Sequence, residues 1–129
     1  MASNPNILVL DDDSIVRESL SEFLEMQEYE VTTASNLDEA VDALTTNKFP
    51  AVLADVRLPD GNAFDLLDLV NNHSLSTAVI MFTGYGTIED AVRAIKNGAF
   101  DYVTKPLSDE EVKLSVERAL QHQKLLEEN

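Results

Sequence analysis

Five apolar bursts of strand length alternate with segments whose apolar residues recur at helical spacing, and this alternation limits the possible folds more than any other feature of the chain. The bursts cover residues 7–10, 29–34 ("YEVTTA"), 51–56 ("AVLADV"), 78–82 ("AVIMF") and 100–103 ("FDYV"). Short bursts of this kind suit strands buried on both faces of a parallel sheet. Between them Val16, Leu20, Phe23 and Leu24 repeat at the helical period, as do Leu37, Ala40, Val41 and Leu44, and then Ile88, Ala91, Val92 and Ile95. Residues 62–72 form another such segment between the second and third sets. The last helix starts after Ser108 and carries Val112, Val116, Ala119 and Leu120 on one stripe. Thr87 with Asp90, and Ser108 with Glu111, have capping-box spacing, and Gly98 stands where a helix should stop.

The chain therefore reads as α/β: five strand–helix repeats, (βα)5, wound into a flavodoxin-like parallel five-stranded sheet with helices on both faces. For five strands the usual doubly wound order is 2-1-3-4-5, and ligands bind at the carboxyl ends of the strands beside the point where that order reverses. A length of 129 residues suits one domain, expected over 6–120, with an extension at 1–5 and a helical extension at 121–129. No apolar run approaches the roughly 18 residues of a membrane span. The first residues, "MASNPN", lack the pattern of a secretory signal, and the absence of cysteine fits a reducing cytoplasm. With 24 acidic against 9 basic residues and a formal charge of −15, the chain repels phosphate backbones, so no direct nucleic-acid binding is expected.

Where the carboxylates concentrate matters more than their number. The first burst runs straight into Asp11-Asp12-Asp13, and the third ends on Asp55. In the expected topology these residues converge beside the switch point, where their repulsion calls for a cation. Asp13 is best read as a helix cap. Asp11 and Asp12 with Asp55, without nearby His or Cys, suit a hard, oxygen-seeking ion, and Mg2+ is the expected metal. The fourth strand closes with "MFTGYG", bringing Thr83 to the same edge, and the fifth closes with "YVTKPL", bringing Lys105. A carboxylate nucleophile, a metal site, a hydroxyl and a lysine arriving on four strand ends are the parts phosphoryl transfer uses.

Four motifs in order, "LVLDDD" at 8–13, "LADVRLPDG" at 53–61, "MFTGYG" at 81–86 and "DYVTKP" at 101–106, resemble the receiver domain of bacterial two-component response regulators over about residues 5–120. The stretch from Thr83 onward resembles receivers of the nitrogen-regulator type, which precede an ATPase domain acting on sigma-54 polymerase. The resemblance implies that Asp55 accepts a phosphoryl group from a phosphohistidine of a sensor histidine kinase. It implies Mg2+ bound by Asp12, Asp55 and the backbone carbonyl of Arg57, with Asp11 acting largely through water. Lys105 would pair with one phosphoryl oxygen and Thr83 with another. Tyr102 would turn inward behind Thr83 and remodel the surface of the fourth helix, fifth strand and fifth helix, which would dimerise or dock an effector domain. Lys105-Pro106 resembles the family's cis peptide, and Arg57 and Tyr85 occupy places that tune hydrolysis of the acyl phosphate. The protein so implied is not a metabolic enzyme, although it catalyses its own phosphorylation and dephosphorylation.

Other readings stand beside these. Read without the family, Tyr102 is a half-buried tyrosine with a wet hydroxyl. Leu58-Pro59-Asp60-Gly61 is a turn with Gly61 free for positive φ, given no chemistry beyond placing the Arg57 carbonyl. His73 and His122 are solvated, and Met26 and Met81 fill core. Leu125 and Leu126 in the tail belong either to a frayed end or to a dimer helix or linker. A hydrolase of the haloacid-dehalogenase type would want a different spacing from "DDDSI", and an FMN module would want a phosphate-cradling loop where three carboxylates stand. A receiver-like module that binds partners without phosphorylation is the remaining alternative.

Overall fold

The first apolar burst forms β1 (Asn6–Leu10), whose residues Ile7 to Leu10 are wholly buried. In this computed structural model, which describes residues 4–84 and 86–127, β1 lies next to the middle of the sheet. In chain order there follow α1 (Ser14–Met26), β2 (Glu30–Ala34), α2 (Leu37–Thr46), β3 (Ala51–Asp55), the two-residue strands β4 (Arg57–Leu58) and β5 (Gly61–Asn62), α3 (Ala63–Asn72), β6 (Ala78–Thr83), α4 (Ile88–Lys96), β7 (Asp101–Thr104) and α5 (Asp109–Glu127). The main sheet runs β2-β1-β3-β6-β7 with every pair parallel, which is order 2-1-3-4-5 when the long strands alone are counted. The antiparallel pair β4–β5 is a small hairpin after the third long strand.

Because successive strand residues point to opposite faces, the buried strands divide between two cores. Leu8, Leu10, Val52, Ala54, Val79 and Met81 meet Ala40 and Leu44 of α2, Leu66, Leu67 and Val70 of α3, and Ala94 of α4. Ile7, Val9, Leu53, Ile80 and Phe82 meet Leu20 and Leu24 of α1 and Val112, Val116 and Ala119 of α5. The central strands therefore carry no polar alternation, which is why they read as bursts.

Helix starts follow local chemistry. Asp13 caps α1 by accepting from the Ile15 amide at 2.9 Å, and Thr87 and Ser108 accept from the Asp90 and Glu111 amides. The full reciprocal capping box is at Asn62 and Asp65, a pair the spacing argument did not single out. Gly98 ends α4 with φ +101°.

Gly61 takes φ +156°, and a Cβ there would stand 2.8 Å from Leu37 Cδ2 and 2.9 Å from Asp65 Oδ2. Gly61→Ala should therefore strain the hairpin and push on the α3 cap, lowering stability by about 1–3 kcal/mol, read as an earlier urea midpoint at unchanged slope. The same turn also holds a role that sequence reasoning missed. Asp60 accepts from the Leu37 and Asp38 amides at 2.7 and 3.1 Å, so the β3–α3 connection caps α2. Those amide bonds hold the Asp60 carboxyl below its ordinary range.

Two packing expectations need correction. Met26 is not core: it is 78% exposed. It lies two residues past Leu24, about 200° around the helix, and so faces away from the sheet. The α4 stripe is helical as read, but its large residues do not face inward. Ile88 is 84% exposed and Val92 and Ile95 are also exposed, while Ala94 reaches the core. This helix covers the edge strand β7, whose residues are only half-buried or exposed, and a small residue allows the close approach.

Candidate functional site

The carboxyl ends of β1, β3 and β6 and the residue after β7 bring Asp11, Asp55, Thr83 and Lys105 to one edge of the sheet. Asp11 is fully buried, Asp55 nearly so, and Thr83 is 2% exposed, whereas Asp12 stands in solvent. Lys105 Nζ donates to Asp11 Oδ2 and to Asp55 Oδ2, each at 3.2 Å, with 28% of its side chain exposed. It lies 5.2 Å from the centroid of the Phe82 ring. The Lys105 amide donates to the Thr83 carbonyl at 2.8 Å, tying the two strand ends together. Lys105-Pro106 is cis.

Backbone amides aim the carboxylates. Asp13 N–H donates to Asp11 Oδ1 at 2.9 Å, and Arg57 N–H donates to Asp55 Oδ1 at 3.2 Å. Each aspartate thus has one oxygen held by the chain and the other turned to Lys105. Burial pushes the Asp11 carboxyl above its usual range and the Asp55 charge adds to this, against the lowering effects of the Asp13 amide and Lys105. Burial presses Lys105 downward, but hydrogen bonds and charges from Asp55 and Asp11 outweigh it and the net direction is up. Lys105 is therefore a cation throughout the neutral range.

One carboxylate oxygen from each of Asp11, Asp12 and Asp55 lies within 4.8 Å of the others. Two ligand bonds of about 2.1 Å reach at most about 4.2 Å across one ion, so the oxygens stand near the spacing of a shared site and need only a small closing movement to meet one ion. An all-oxygen set carrying three charges fits a hard divalent cation, with Lys105 supplying the partial neutralisation present without it.

An aspartate whose folded pKa is raised destabilises the fold above that pKa, and the penalty vanishes as acid protonates it. Asp11→Asn should therefore raise the metal-free melting temperature at pH 7 by about 3 °C or more, roughly 1 kcal/mol. The same variant should bind divalent cations more weakly. Thermal melts with and without Mg2+ read both effects.

Tyr102 sits on β7 with its ring near Gly86: a Cβ at Gly86 would be 3.3 Å from Tyr102 Cε1 and 3.3 Å from Thr83 Cγ2. Its hydroxyl is covered and has no hydrogen-bond partner among the described residues, which corrects the reading of a wet hydroxyl. Tyr85 lies outside the described residues, as do 1–3 and 128–129 of the two extensions. His73 closes α3 and is exposed. His122 is exposed too, with its ring 5.5 Å from that of Phe100, far from the acidic pocket in sequence and on α5. A surface cavity of about 990 Å³ lies at the opposite end of the sheet beside Pro5, Pro50 and Thr77. No helix among the described residues is long and apolar enough to cross a membrane.

Comparison with known proteins agrees with this geometry. Response regulator protein PilR of Pseudomonas aeruginosa is 37% identical over 105 residues, covering 81% of this chain and 24% of PilR. Regulatory protein AtoC of Escherichia coli is 37% identical over 128 residues, covering 99% of this chain and 28% of AtoC. The chain thus spans about a quarter of the length of these curated relatives. Among solved structures, the beryllofluoride-activated NtrC4 receiver domain dimer superposes with a TM-score of 0.87 at 36% identity, covering 92% of this chain and 98% of that one. These neighbours agree with the nitrogen-regulator resemblance. Since residues 7–117 match the family described as the response regulator receiver domain, the chain belongs to that family.

Proposed function

We propose that this chain is a phosphoacceptor switch in which Asp55 takes a phosphoryl group from a phosphohistidine of a sensor histidine kinase. The observation that carries this reading is the double contact of Lys105 with Asp11 and Asp55, beside Asp12 and Thr83, on four converging strand ends. An Asp55 oxygen attacks phosphorus, and the P–N bond breaks with its electron pair left on the imidazole nitrogen. Arg57 N–H on Asp55 Oδ1 fixes the carboxylate during the attack. Asp12, Asp55 and the Arg57 carbonyl would hold Mg2+, with Asp11 completing the set through water. When bound, the ion offsets charge on the transferring oxygens. Lys105 then pairs with one phosphoryl oxygen and Thr83 donates its hydroxyl to another, giving the added charge two donors.

Thr83 moving toward the phosphoryl group leaves space that the Tyr102 ring fills. A covered hydroxyl without a partner, an arrangement that costs free energy, supports two ring positions close in energy. The surface made by α4, β7 and α5 then changes. Ile88, Val92 and Ile95 already stand exposed there, which makes this face the candidate for homodimerisation or effector docking, and the activated NtrC4 receiver is itself a dimer. Residues 6–120 form the receiver. Residues 121–129, with Leu125 and Leu126 exposed on α5, lead toward an output domain that in relatives of this type acts on sigma-54 polymerase. The protein acts in the cytoplasm as a transcription regulator, reaching nucleic acid only through that further domain. It turns over no metabolite, and it also catalyses loss of its own phosphoryl group.

Incubation with Mg2+ and acetyl phosphate, or with its beryllium fluoride mimic, tests this by intact mass and sedimentation. One added phosphoryl group, prevented by EDTA, with a change in association state is the expected result. No modification under any condition overturns it in favour of a phosphorylation-independent binding module.

A further inference from the structure

Arg17 is the fourth residue of α1, whose first turn contains no acidic residue. A cation there meets the positive end of the helix dipole, so helix stability does not account for it. Its Nη1 instead donates to the main-chain carbonyl of Asp11 at 2.7 Å from a half-buried position. Such a charge-assisted bond is stronger than one between neutral groups.

With that bond, Asp11 is held at every polar atom. Its amide donates to the Ala34 carbonyl at 3.2 Å, its Oδ1 accepts from Asp13 N–H and its Oδ2 accepts from Lys105. Asp12, between these held residues, extends its carboxylate into solvent from a main chain pinned on both sides. Hydrogen bonds from Ser35 hold the Glu39 carboxyl below its ordinary range, and the Arg17 charge adds a smaller lowering. Glu39 accepts from the Ser35 amide and hydroxyl at 2.7 and 2.8 Å.

We propose that Arg17 is a positioning residue for the acidic pocket, holding the Asp11–Asp13 main chain so that the carboxylates of Asp11 and Asp12 stand ready for a divalent cation. The inference rests on the metal-dependent reading above and adds a residue to it.

Electrostatics and positioning predict opposite signs. Removing a positive charge near three carboxylates should tighten Mg2+ binding if Arg17 acts through its field. Removing the carbonyl clamp should loosen it by about tenfold, the lower end for partners that orient metal ligands. Mg2+ affinity of the whole chain is measured by calorimetry at fixed ionic strength for wild type, Arg17→Met and Arg17→Lys, with thermal melts confirming folding. Exchange of the Asp13 amide is followed without metal. The expected result is weaker binding and faster Asp13 exchange in Arg17→Met, both partly restored in Arg17→Lys, whose ammonium can reach the same carbonyl. Tighter binding, or unchanged affinity with a lowered melting temperature, overturns the role of Arg17 alone. Wild type that takes up neither Mg2+ nor a phosphoryl group overturns the functional reading, and the role of Arg17 at a metal pocket with it.

Discussion

Asp55→Asn should show no mass gain with acetyl phosphate and Mg2+ under conditions that modify the wild type completely, while keeping its circular dichroism. The amide lacks the anionic oxygen that in the proposed reaction would attack phosphorus, and no neighbouring group among the described residues is placed to replace it. Asp11 is fully buried with both oxygens engaged, and Asp12 points into solvent from a loop rather than from the end of a core strand. Divalent-cation affinity should fall by about tenfold or more, because one of three clustered carboxylates has gone. Folding should survive, since the amide oxygen can still accept from Arg57 N–H. A phosphoryl group appearing on the variant would place the acceptor elsewhere in the cluster.

Lys105→Met should separate charge from position. In the metal-free protein Lys105 is the cation in contact with both Asp11 and Asp55. Without it the two carboxylates face each other, and the Asp11 carboxyl, already raised by burial, is raised further. A raised carboxyl destabilises above its folded pKa and ceases to do so as pH falls through it. The variant should therefore be less stable than wild type at pH 7 by about 1–3 kcal/mol, discounted from the fully buried case because Lys105 is partly in solvent. That deficit should shrink on acidification and also on adding Mg2+. Mg2+ affinity should rise roughly tenfold, the equivalent of about 1.4 kcal/mol, because the pocket has one positive charge fewer. Phosphoryl uptake should nonetheless slow by about 10²-fold for want of a donor to the transferring oxygens. Calorimetry and stopped-time mass spectrometry give the two numbers. A parallel fall in both would mean that Lys105 only maintains the shape of the site.

The acid-to-lysine geometry was legible because each partner lies at the end of an apolar burst, and the parallel topology sends all those ends to one edge. Asp13 as a cap and Gly98 as a stop were legible for the same local reason: each acts on its own chain neighbours. Asp60 was not, because the amides it caps belong to α2, more than twenty residues earlier, and only folding brings them within 2.7 Å. Arg17 was not either. Its partner is a main-chain carbonyl, which leaves no trace in residue type, although a basic residue in an acid-free first helical turn was a signal available to be read.

The facing of α4 marks the same boundary from another side. Ile88, Val92 and Ile95 repeat as a core stripe would, yet the helix turns Ala94 to the sheet and leaves them outside. Periodicity determines that a helix forms and that one face is apolar, because both depend on residues a few positions apart. Which face is covered depends on how much apolar surface the neighbouring strand offers, and β7, at the sheet edge, offers little. The sequence alone thus determined the strand–helix order, the strand ends and the chemistry gathered there. The tertiary structure decided which amides hold each carboxylate, that the Tyr102 hydroxyl is covered, and which helix face is left bare, since these depend on contacts between segments whose distance apart local spacing does not encode.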